Sequence, residues 1–275
     1  MIADLEMERL YARVHLVRGK GERRSGALCI MSFVALLAGE RHTDAPSTAS
    51  PLLRQFALVL NDAMPEPERQ RLKPFAPRII GTADGFDPGR AAVLRHAMQK
   101  VVFPRVCSDI QQDVLPSGPL HDPCGVSTAH PAKELFCSFS VIAAADDTPR
   151  NQRQLALLAA RLLCACAAAA TGVTARAWYW SQAIDLLDRL CEVGMPRTRP
   201  ALSQARVEKL LSGNALAAGG VRRVVATLRR LGHALAGRIG SAPVLAEAPA
   251  PGIATTVLPP SATDAVRNKI VLPGA

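Results

Sequence analysis

The stretch of sequence that decides the fold is "ALCIMSFVALLAGERHTDAPSTASPLLRQFALVLND", residues 27–62. Its first part is apolar nearly all round, which is typical of a helix buried on several sides. Gly39 is placed to end that helix as a C-cap. Ser50 and Pro51 then start a second helix, because serine supplies an N-cap oxygen and proline suits the first helical position. Two helices joined by a polar loop therefore predict a helical fold.

The composition of the whole chain favours the same class. Of its 275 residues, 49% are hydrophobic but only 4% are aromatic, so the core must be built mainly from Leu, Val, Ile and Ala. Such small aliphatic side chains pack more readily between closely spaced helices than in a sandwich of short strands. The sequence predicts an all-α protein, a multi-helix bundle that consists of two packed helical modules.

Helical patterns and prolines divide the chain into four segments. We expect an N-terminal helical module at residues 1–103 and a C-terminal helical module at 148–240. Between them, residues 104–147 are rich in proline and turn residues, which predicts an irregular loop or insertion, with a short strand as an option at "FCSFSVIA", 136–143. Residues 241–275 contain too many prolines for a packed element and are expected to form a flexible tail.

The charge and the cysteine content of the chain indicate the kinds of partner and the cellular environment to expect. The chain has 33 Lys+Arg against 23 Asp+Glu, a formal net charge of +10, which attracts nucleic acid, anionic membrane or an acidic partner. Its first residues lack the apolar region of a secretory signal, and its 7 cysteines are an odd number, so reduced thiols in the cytoplasm are expected. Arg161 interrupts the apolar run 155–173, which predicts a buried helix and no transmembrane segment.

The loop between the first two helices carries the first candidate site. Glu40, His42 and Asp44 lie close together in sequence, and Asn61 and Asp62 close the following helix. A histidine oriented by a carboxylate can act as a general base, and the same groups can bind a divalent metal. Alternatively, the two acids of the loop hold its backbone, while the Asn-Asp pair marks a helix end. The second helix would be about 18 Å long, so the two groups meet only if another element brings them together.

Residues 27–82 also follow a recurring pattern, C-x-M-E-x-x-A-x-x-A-G-E-x-x-S/T-D-x-P, then a Ser-Pro helix start, N-D, L-x-P and G-T. The matching residues are Cys29, Met31, Ala35, Ala38, Gly39, Glu40, Asp44, Pro46, Ser50, Pro51, Asn61, Asp62, Leu72, Pro74, Gly81 and Thr82. On these residues the chain resembles a family of uncharacterised bacterial proteins, some encoded near mobile elements, and a fainter likeness covers 177–194. The resemblance implies a shared helical fold and no particular activity. Ser32 stands where the family has Glu, so a catalytic or ligand role of that Glu would be lost here.

A second candidate site lies in the proline-rich stretch. Two histidines and two cysteines, the residue types that ligate zinc, occur there with the spacing H-x2-C-x5-H-x6-C. These residues are His121, Cys124, His130 and Cys137. The spacing matches no standard zinc finger or knuckle, so a plain loop is the alternative. No other cofactor is expected.

The segment "VRRVVATLRRLGHALAGRI", residues 221–239, predicts an amphipathic basic helix. Its apolar residues follow helical spacing, and its arginines gather on one side of the helix. The basic residues are Arg222, Arg223, Arg229, Arg230 and Arg238. Such a face suits phosphates or an anionic membrane surface, although the solvated side of a bundle helix has the same pattern.

Together these patterns favour a non-catalytic module that binds a protein partner or associates with itself as a scaffold. One alternative is a sequence-independent nucleic-acid binder that uses the basic helix 221–239. The other alternative is a metal-dependent or acid–base enzyme that uses Glu40, His42 and Asp44. No motif in the chain requires enzymatic activity.

Overall fold

The structure is a computed structural model that describes residues 2–116, 120–121, 127–128, 131–194 and 204–212. Helices make up 73% of the residues described, which confirms the all-α class. The helices are α1 (Ile2–Arg13), α2 (Ile30–Ala38), α3 (Pro51–Ala63), α4 (Glu66–Gln70), α5 (Ala76–Ile79), α6 (Asp87–Ala97), α7 (Phe103–Gln111), α8 (Pro131–Ala144), α9 (Pro149–Ala169), α10 (Val173–Glu192) and α11 (Gln204–Ser212). A π-helical segment, Met98–Val102, joins α6 directly to α7.

Helix α9 lies at the centre of the described fold, in contact with α3, α6, α8 and α10. Leu and Ala cover most of its circumference, and the small alanines let neighbouring helices approach closely. Thr148 caps its first turn by accepting a hydrogen bond from the Asn151 amide. Because α3 and α6 come from the predicted first module, residues of both predicted modules share one hydrophobic core. None of the helices in the described part of the chain is long and apolar enough to cross a membrane.

The joint between α2 and α3 has the predicted caps. Gly39 ends α2 with a φ of 82°, and its N–H donates back to the carbonyl oxygens of Ala35 and Leu36. Ser50 Oγ accepts a hydrogen bond from the Leu53 amide, and Pro51 occupies the first turn of α3. The apolar side chains of α2 are buried, as its composition predicts.

A small sheet precedes α2. Its strands are β1 (His15–Leu16), β2 (Gly21–Glu22) and β3 (Ala27–Leu28), in the order β1-β3-β2, with β1 parallel and β2 antiparallel to β3. Gly21 has a φ of 71°, and a Cβ atom there would lie 2.2 Å from the carbonyl oxygen of Ala27, so the close pairing of β2 with β3 requires glycine. Farther along, β4 (Leu120–His121) pairs with β5 (Ser127–Thr128) in an antiparallel manner.

The prediction of an irregular stretch at 104–147 was wrong where α7 and α8 form, and so was the optional strand at 136–143. Pro131 starts α8, where a missing N–H costs nothing, and Pro104 is the second residue of α7, directly after the π-helical segment. The Phe103 ring at the start of α7 packs against Phe136 and Phe139 of α8, with centroids 4.2 and 5.3 Å apart. Residues 213–275, which include the predicted tail, lie outside the described part of the chain.

Candidate functional site

Glu40 follows the C-cap of α2 and holds the loop that leads to α3. Its carboxylate accepts hydrogen bonds from the Ser47 amide (2.9 Å), the Ser47 hydroxyl (3.0 Å) and the Thr48 amide (3.1 Å). A metal ion or a substrate proton would have to compete with these three donors. The contacts therefore give Glu40 the loop-holding role, which was one of the two readings of the sequence.

Asn61 and Asp62 hold the segment between β1 and β2. The Asn61 side chain is buried; its amide nitrogen donates to the Val17 carbonyl oxygen (2.8 Å), and its oxygen accepts from the Ile30 amide (3.1 Å). Asp62 Oδ1 accepts a hydrogen bond from the Gly19 amide (3.0 Å). The end of α3 is thereby fastened both to the start of α2 and to the segment after β1.

His42 reaches the same segment from the opposite loop. Its Nε2 donates to the carbonyl oxygen of Gly21, at 3.2 Å. Asn61, Asp62 and His42 therefore do converge, but on the backbone of residues 17–21. No hydrogen bond connects His42 to Asn61 or Asp62, all three of which are described, and Asp44 likewise has none with the described residues.

The segment that these residues hold is strongly basic. We call residues 18–24 the basic loop, although they include the short strand β2 and the start of a 3-10 helix, Arg23–Ser25. Arg18, Lys20 and Arg24 are exposed and Arg23 is partly exposed. None of these four side chains forms a hydrogen bond or an ion pair within the part of the chain that the structure describes. The signal in the sequence was the run of basic residues around Gly19 and Gly21, but its fixed conformation depends on distant residues.

Cys29 caps the first turn of α2. Its sulfur accepts a hydrogen bond from the Ser32 amide (3.2 Å) and its thiol donates to the Ser32 hydroxyl (3.3 Å). Burial raises the pKa of the Cys29 thiol, and the charge of Asp44 adds to the effect, so the thiol is not an activated nucleophile. Ser32 occupies the third helical position, where a Glu of the resembling family would suit a capping box.

A buried arginine that the sequence did not single out organises the opposite side of α3. Arg90 has no exposed surface and donates to both Asp84 oxygens (2.8 Å each) and to Asp87 (3.0 Å). It also donates to the carbonyl oxygens of Thr82 (2.9 Å), Val193 (2.7 Å) and Leu190 (3.3 Å). Burial alone would lower the pKa of Arg90, but the two carboxylates raise it above its ordinary value.

Beside this cluster lies a cleft of about 450 Å³ at which α3, α6 and α9 begin. Pro51, Pro88 and Pro149 line it, and because proline has no N–H, these helix starts present few donors to a ligand. Its carboxylates are already paired, Asp87 with Arg90 and Asp147 with Arg95 (2.6 Å). The cleft is a junction between helices, and its geometry indicates no ligand.

A second buried network connects α7 to α10. The Tyr179 hydroxyl donates to Asp109 Oδ2 (2.7 Å), and Arg105 Nε donates to Asp109 Oδ1 (2.8 Å). The Arg105 guanidinium also lies 5.2 Å from the centre of the Trp178 ring. Burial raises the pKa of Tyr179, so the phenol remains a hydrogen-bond donor rather than a proton-transfer group.

The remaining predicted sites fall largely outside the described residues. Of the zinc candidates, Cys137 is exposed on α8, whereas Cys124, His130 and the side chain of His121 are not described. The five arginines predicted for the basic helix 221–239 also lie outside the described residues. Among the described side chains, no group of three or more His, Cys, Asp or Glu is arranged to hold a metal ion.

No family model, curated protein or solved structure matches this chain. The resemblance of residues 27–82 to a bacterial family therefore stays a prediction. Function is inferred from the geometry of the described residues alone.

Proposed function

We propose that the protein is a non-catalytic helical interaction module that docks a protein partner or a second copy of itself through the outer face of α8. The observation that carries the proposal is an exposed helix face that bears no charge after the first turn of α8. The exposed residues that form this face are Cys137, Ser138, Ser140, Val141 and Ala144. Val141 keeps 68% of its surface exposed, a large fraction for a branched apolar side chain.

The composition of α8 supports this proposal. Its charged residues, Lys133 and Glu134, both lie near its start. Its inner face packs on α9 through Phe139 and its neighbours, while its outer face is also weakly polar. Helix faces that stay in contact with water usually carry charged side chains, so an outer face without charge after its first turn favours a further packing partner for α8.

A non-catalytic role is supported by the contacts of the groups that could do chemistry. The Glu40 carboxylate, the Cys29 thiol and the Tyr179 phenol each hold backbone or side-chain partners in the fold. The alternative, a metal-dependent or acid–base enzyme that uses Glu40, His42 and Asp44, predicts a metal or an activity that depends on these residues. Elemental analysis of the purified protein, and of the Glu40→Gln variant, tests that alternative.

Light scattering during size-exclusion chromatography, over a wide range of protein concentration, tests docking between copies. We expect a concentration-dependent dimer that Val141→Glu abolishes, because a buried unpaired carboxylate is costly. Val173→Glu is the matched control, since Val173 is 82% exposed in the first turn of α10. A wild-type chain that stays monomeric at every concentration contradicts docking between copies.

Crosslinking adds a positional test of the same face. In a twofold dimer, residues near the axis meet their own copies, so Cys137 pairs with Cys137. In a Cys107→Ser/Cys124→Ser background, a short bismaleimide should join two chains through Cys137. Equal crosslinking of the Val141→Glu variant would show that collision, and not docking, joins the chains.

The net charge of +10 supports a second candidate function, nucleic-acid binding through residues 221–239. If this candidate is right, the affinity for DNA should fall steeply as the salt concentration rises, and the Arg229→Ala/Arg230→Ala variant should not bind DNA. Fluorescence anisotropy with a labelled DNA duplex measures both. If the wild-type chain does not bind DNA even at low salt, this candidate is wrong.

A further inference from the structure

We propose that the basic loop, residues 18–24, is a second and separate docking surface, which binds the phosphate backbone of double-stranded nucleic acid without reading its sequence. This inference requires neither the outer face of α8 nor the segment 221–239. It follows from three properties of the loop: free charge, fixed shape and the absence of exposed apolar side chains.

The first property is free positive charge. Arg18, Lys20, Arg23 and Arg24 have no hydrogen bond or ion pair with the residues that the structure describes. Some other cations of the described chain are paired, as Arg95 is with Asp147 and Arg105 with Asp109, whereas the loop gathers its four unpaired cations within residues 18–24. Unpaired cations gain most from a phosphate, because no existing ion pair is broken and condensed counterions are released.

Negative groups near the loop do not cancel this charge. Glu22 lies within it, and Asp62 contacts it from α3. The Asp62 carboxylate already accepts hydrogen bonds from the Gly19 amide and the Asn61 side chain. The loop therefore keeps an excess of basic side chains over acidic ones at its exposed surface.

The second property is a fixed backbone. Gly19 and Gly21 adopt φ values of 65° and 71°, which glycine tolerates without strain. Asp62 holds the Gly19 amide, His42 holds the Gly21 carbonyl, and the Cys29 amide donates to the Lys20 carbonyl (3.3 Å). A loop whose backbone is held at three successive residues loses little backbone entropy on binding, so the positions from which its cations extend are fixed in advance.

The third property favours nucleic acid over a membrane surface. Peripheral membrane segments combine basic residues with apolar side chains that enter the lipid interface. The exposed large apolar residues of the described chain are Leu5, Phe86, Val101, Val141 and Val173, none of which belongs to the loop. Arginine and lysine side chains without apolar neighbours are the usual contacts to phosphate oxygens.

The test is fluorescence anisotropy of a labelled DNA duplex of arbitrary sequence, titrated with the full chain at several salt concentrations. The test variant is Arg18→Ala/Lys20→Ala/Arg24→Ala. If all three side chains contact phosphates, the slope of log K against log salt should become shallower by about 2 to 3, since each phosphate contact adds about 0.9. The affinity near 0.1 M salt should fall on the order of 10²-fold.

The matched control is Arg150→Ala/Arg153→Ala/Arg189→Ala, which removes the same charge from exposed positions on α9 and α10. We expect the control to keep most of the affinity and of the salt slope. Equal losses in both triple variants would show that only overall charge matters and would overturn the proposal. Circular dichroism melting of each variant checks that the fold is intact.

Two further outcomes also overturn the proposal. One is a loss of DNA binding in Arg229→Ala/Arg230→Ala with full binding in the loop variant, which would place the contact in 221–239. In the other outcome, the wild-type chain binds anionic phospholipid vesicles but not the duplex, and the loop variant no longer binds the vesicles. Neither result bears on self-association through α8, so the two proposals fail or succeed independently.

Discussion

Arg90 and the basic loop show two opposite ways in which one fold uses positive charge. Arg90 is fully buried and donates to two carboxylates and three carbonyl oxygens. The cations of the loop are exposed or, for Arg23, partly exposed, and they donate to none of the described residues. Charge in this protein therefore supports the fold where it is buried and paired, and is available for binding where it is exposed and unpaired.

The physical reason is solvation. A buried cation loses its water and is tolerable only with close carboxylates and hydrogen bonds in its place. An exposed cation keeps its water and contributes little to stability whether paired or not. The following predictions test this comparison, in order of decreasing effect on stability.

Removing Arg90 should have the largest effect. Arg90→Met leaves the partly buried Asp84 and Asp87 without their cation, and we expect the free energy of unfolding to fall by about 3 kcal/mol. Urea denaturation measures the loss. If this variant does not fold, Arg90→Lys provides a milder change, because lysine keeps the charge but not the planar set of donors. Arg95→Met, at a partly exposed ion pair, should cost about 1 kcal/mol or less.

The wild-type protein and the Arg90→Met variant should differ in how much stability they lose at low pH. Burial would raise the pKa of Asp84, but the hydrogen bonds and charge of Arg90 hold it below its ordinary value. This stabilisation is present above about pH 4 and is lost as the pH falls through the lowered folded-state pKa. In Arg90→Met, burial is opposed only by backbone hydrogen bonds such as that from the Phe86 amide, so the folded-state pKa of Asp84 should rise and less stability should be lost on acidification. Urea midpoints measured from about pH 7 to about pH 3 test this prediction, and parallel curves for the two proteins would contradict it.

Asn61→Ala should have the next largest effect. It leaves the buried Ile30 amide and the Val17 carbonyl without a partner, at a cost of about 1 to 3 kcal/mol. Hydrogen exchange at Gly19 should also accelerate, because the segment after β1 loses its attachment to α3. Asp62→Asn is the control, since the amide oxygen can still accept from Gly19. Unchanged exchange would mean that the loop is held without Asn61.

Tyr179→Phe should cost about 1 to 2 kcal/mol, measured by urea denaturation. The phenol donates to the buried Asp109, which keeps its contact with Arg105 in the variant. The loss should therefore stay below that of Arg90→Met, where two carboxylates lose their cation. A larger loss would show that the neutral Tyr179 hydroxyl stabilises the fold as much as the buried cation does.

The basic-loop triple variant should show the smallest effect on stability. Its side chains are exposed and unpaired in the described chain, so the free energy of unfolding should change by less than about 0.5 kcal/mol. A large destabilisation would mean that these cations support the fold, as Arg90 does. The cations of the basic loop would then contribute to stability and would not be free for binding.

The helix starts and stops were predictable because their signals are local. Gly39 and Ser50-Pro51 act through backbone atoms within four residues, so they appear at the predicted places. Helix α8 was missed because the prolines before it and its small number of charged residues masked the helical spacing by which it packs on α7 and α9. The small sheet was missed because each strand has only two residues, too few for an alternating pattern.

The residues of the candidate site could be predicted from the sequence, but their hydrogen-bond partners could not. His42, Asn61 and Asp62 do meet, but their meeting point is the backbone of residues 17–21, which the sequence places far from all three. Arg90 could not be identified at all, because the carbonyl oxygens of Leu190 and Val193, which accept from it, lie 100 and 103 residues away in the chain. Because every residue has a backbone carbonyl oxygen, the identity of a residue does not indicate that its carbonyl will accept a hydrogen bond from Arg90.

By itself, the sequence determined the helical class, the caps of α2 and α3 and the aliphatic character of the core, since these depend on composition and on neighbours along the chain. Only the tertiary structure decided which cation is buried and paired, which loop is held rigid with its charges free, and which face of α8 stays uncovered. Those features depend on contacts between residues far apart in sequence, where hydrogen-bond geometry and solvent exposure exist only once the chain has folded.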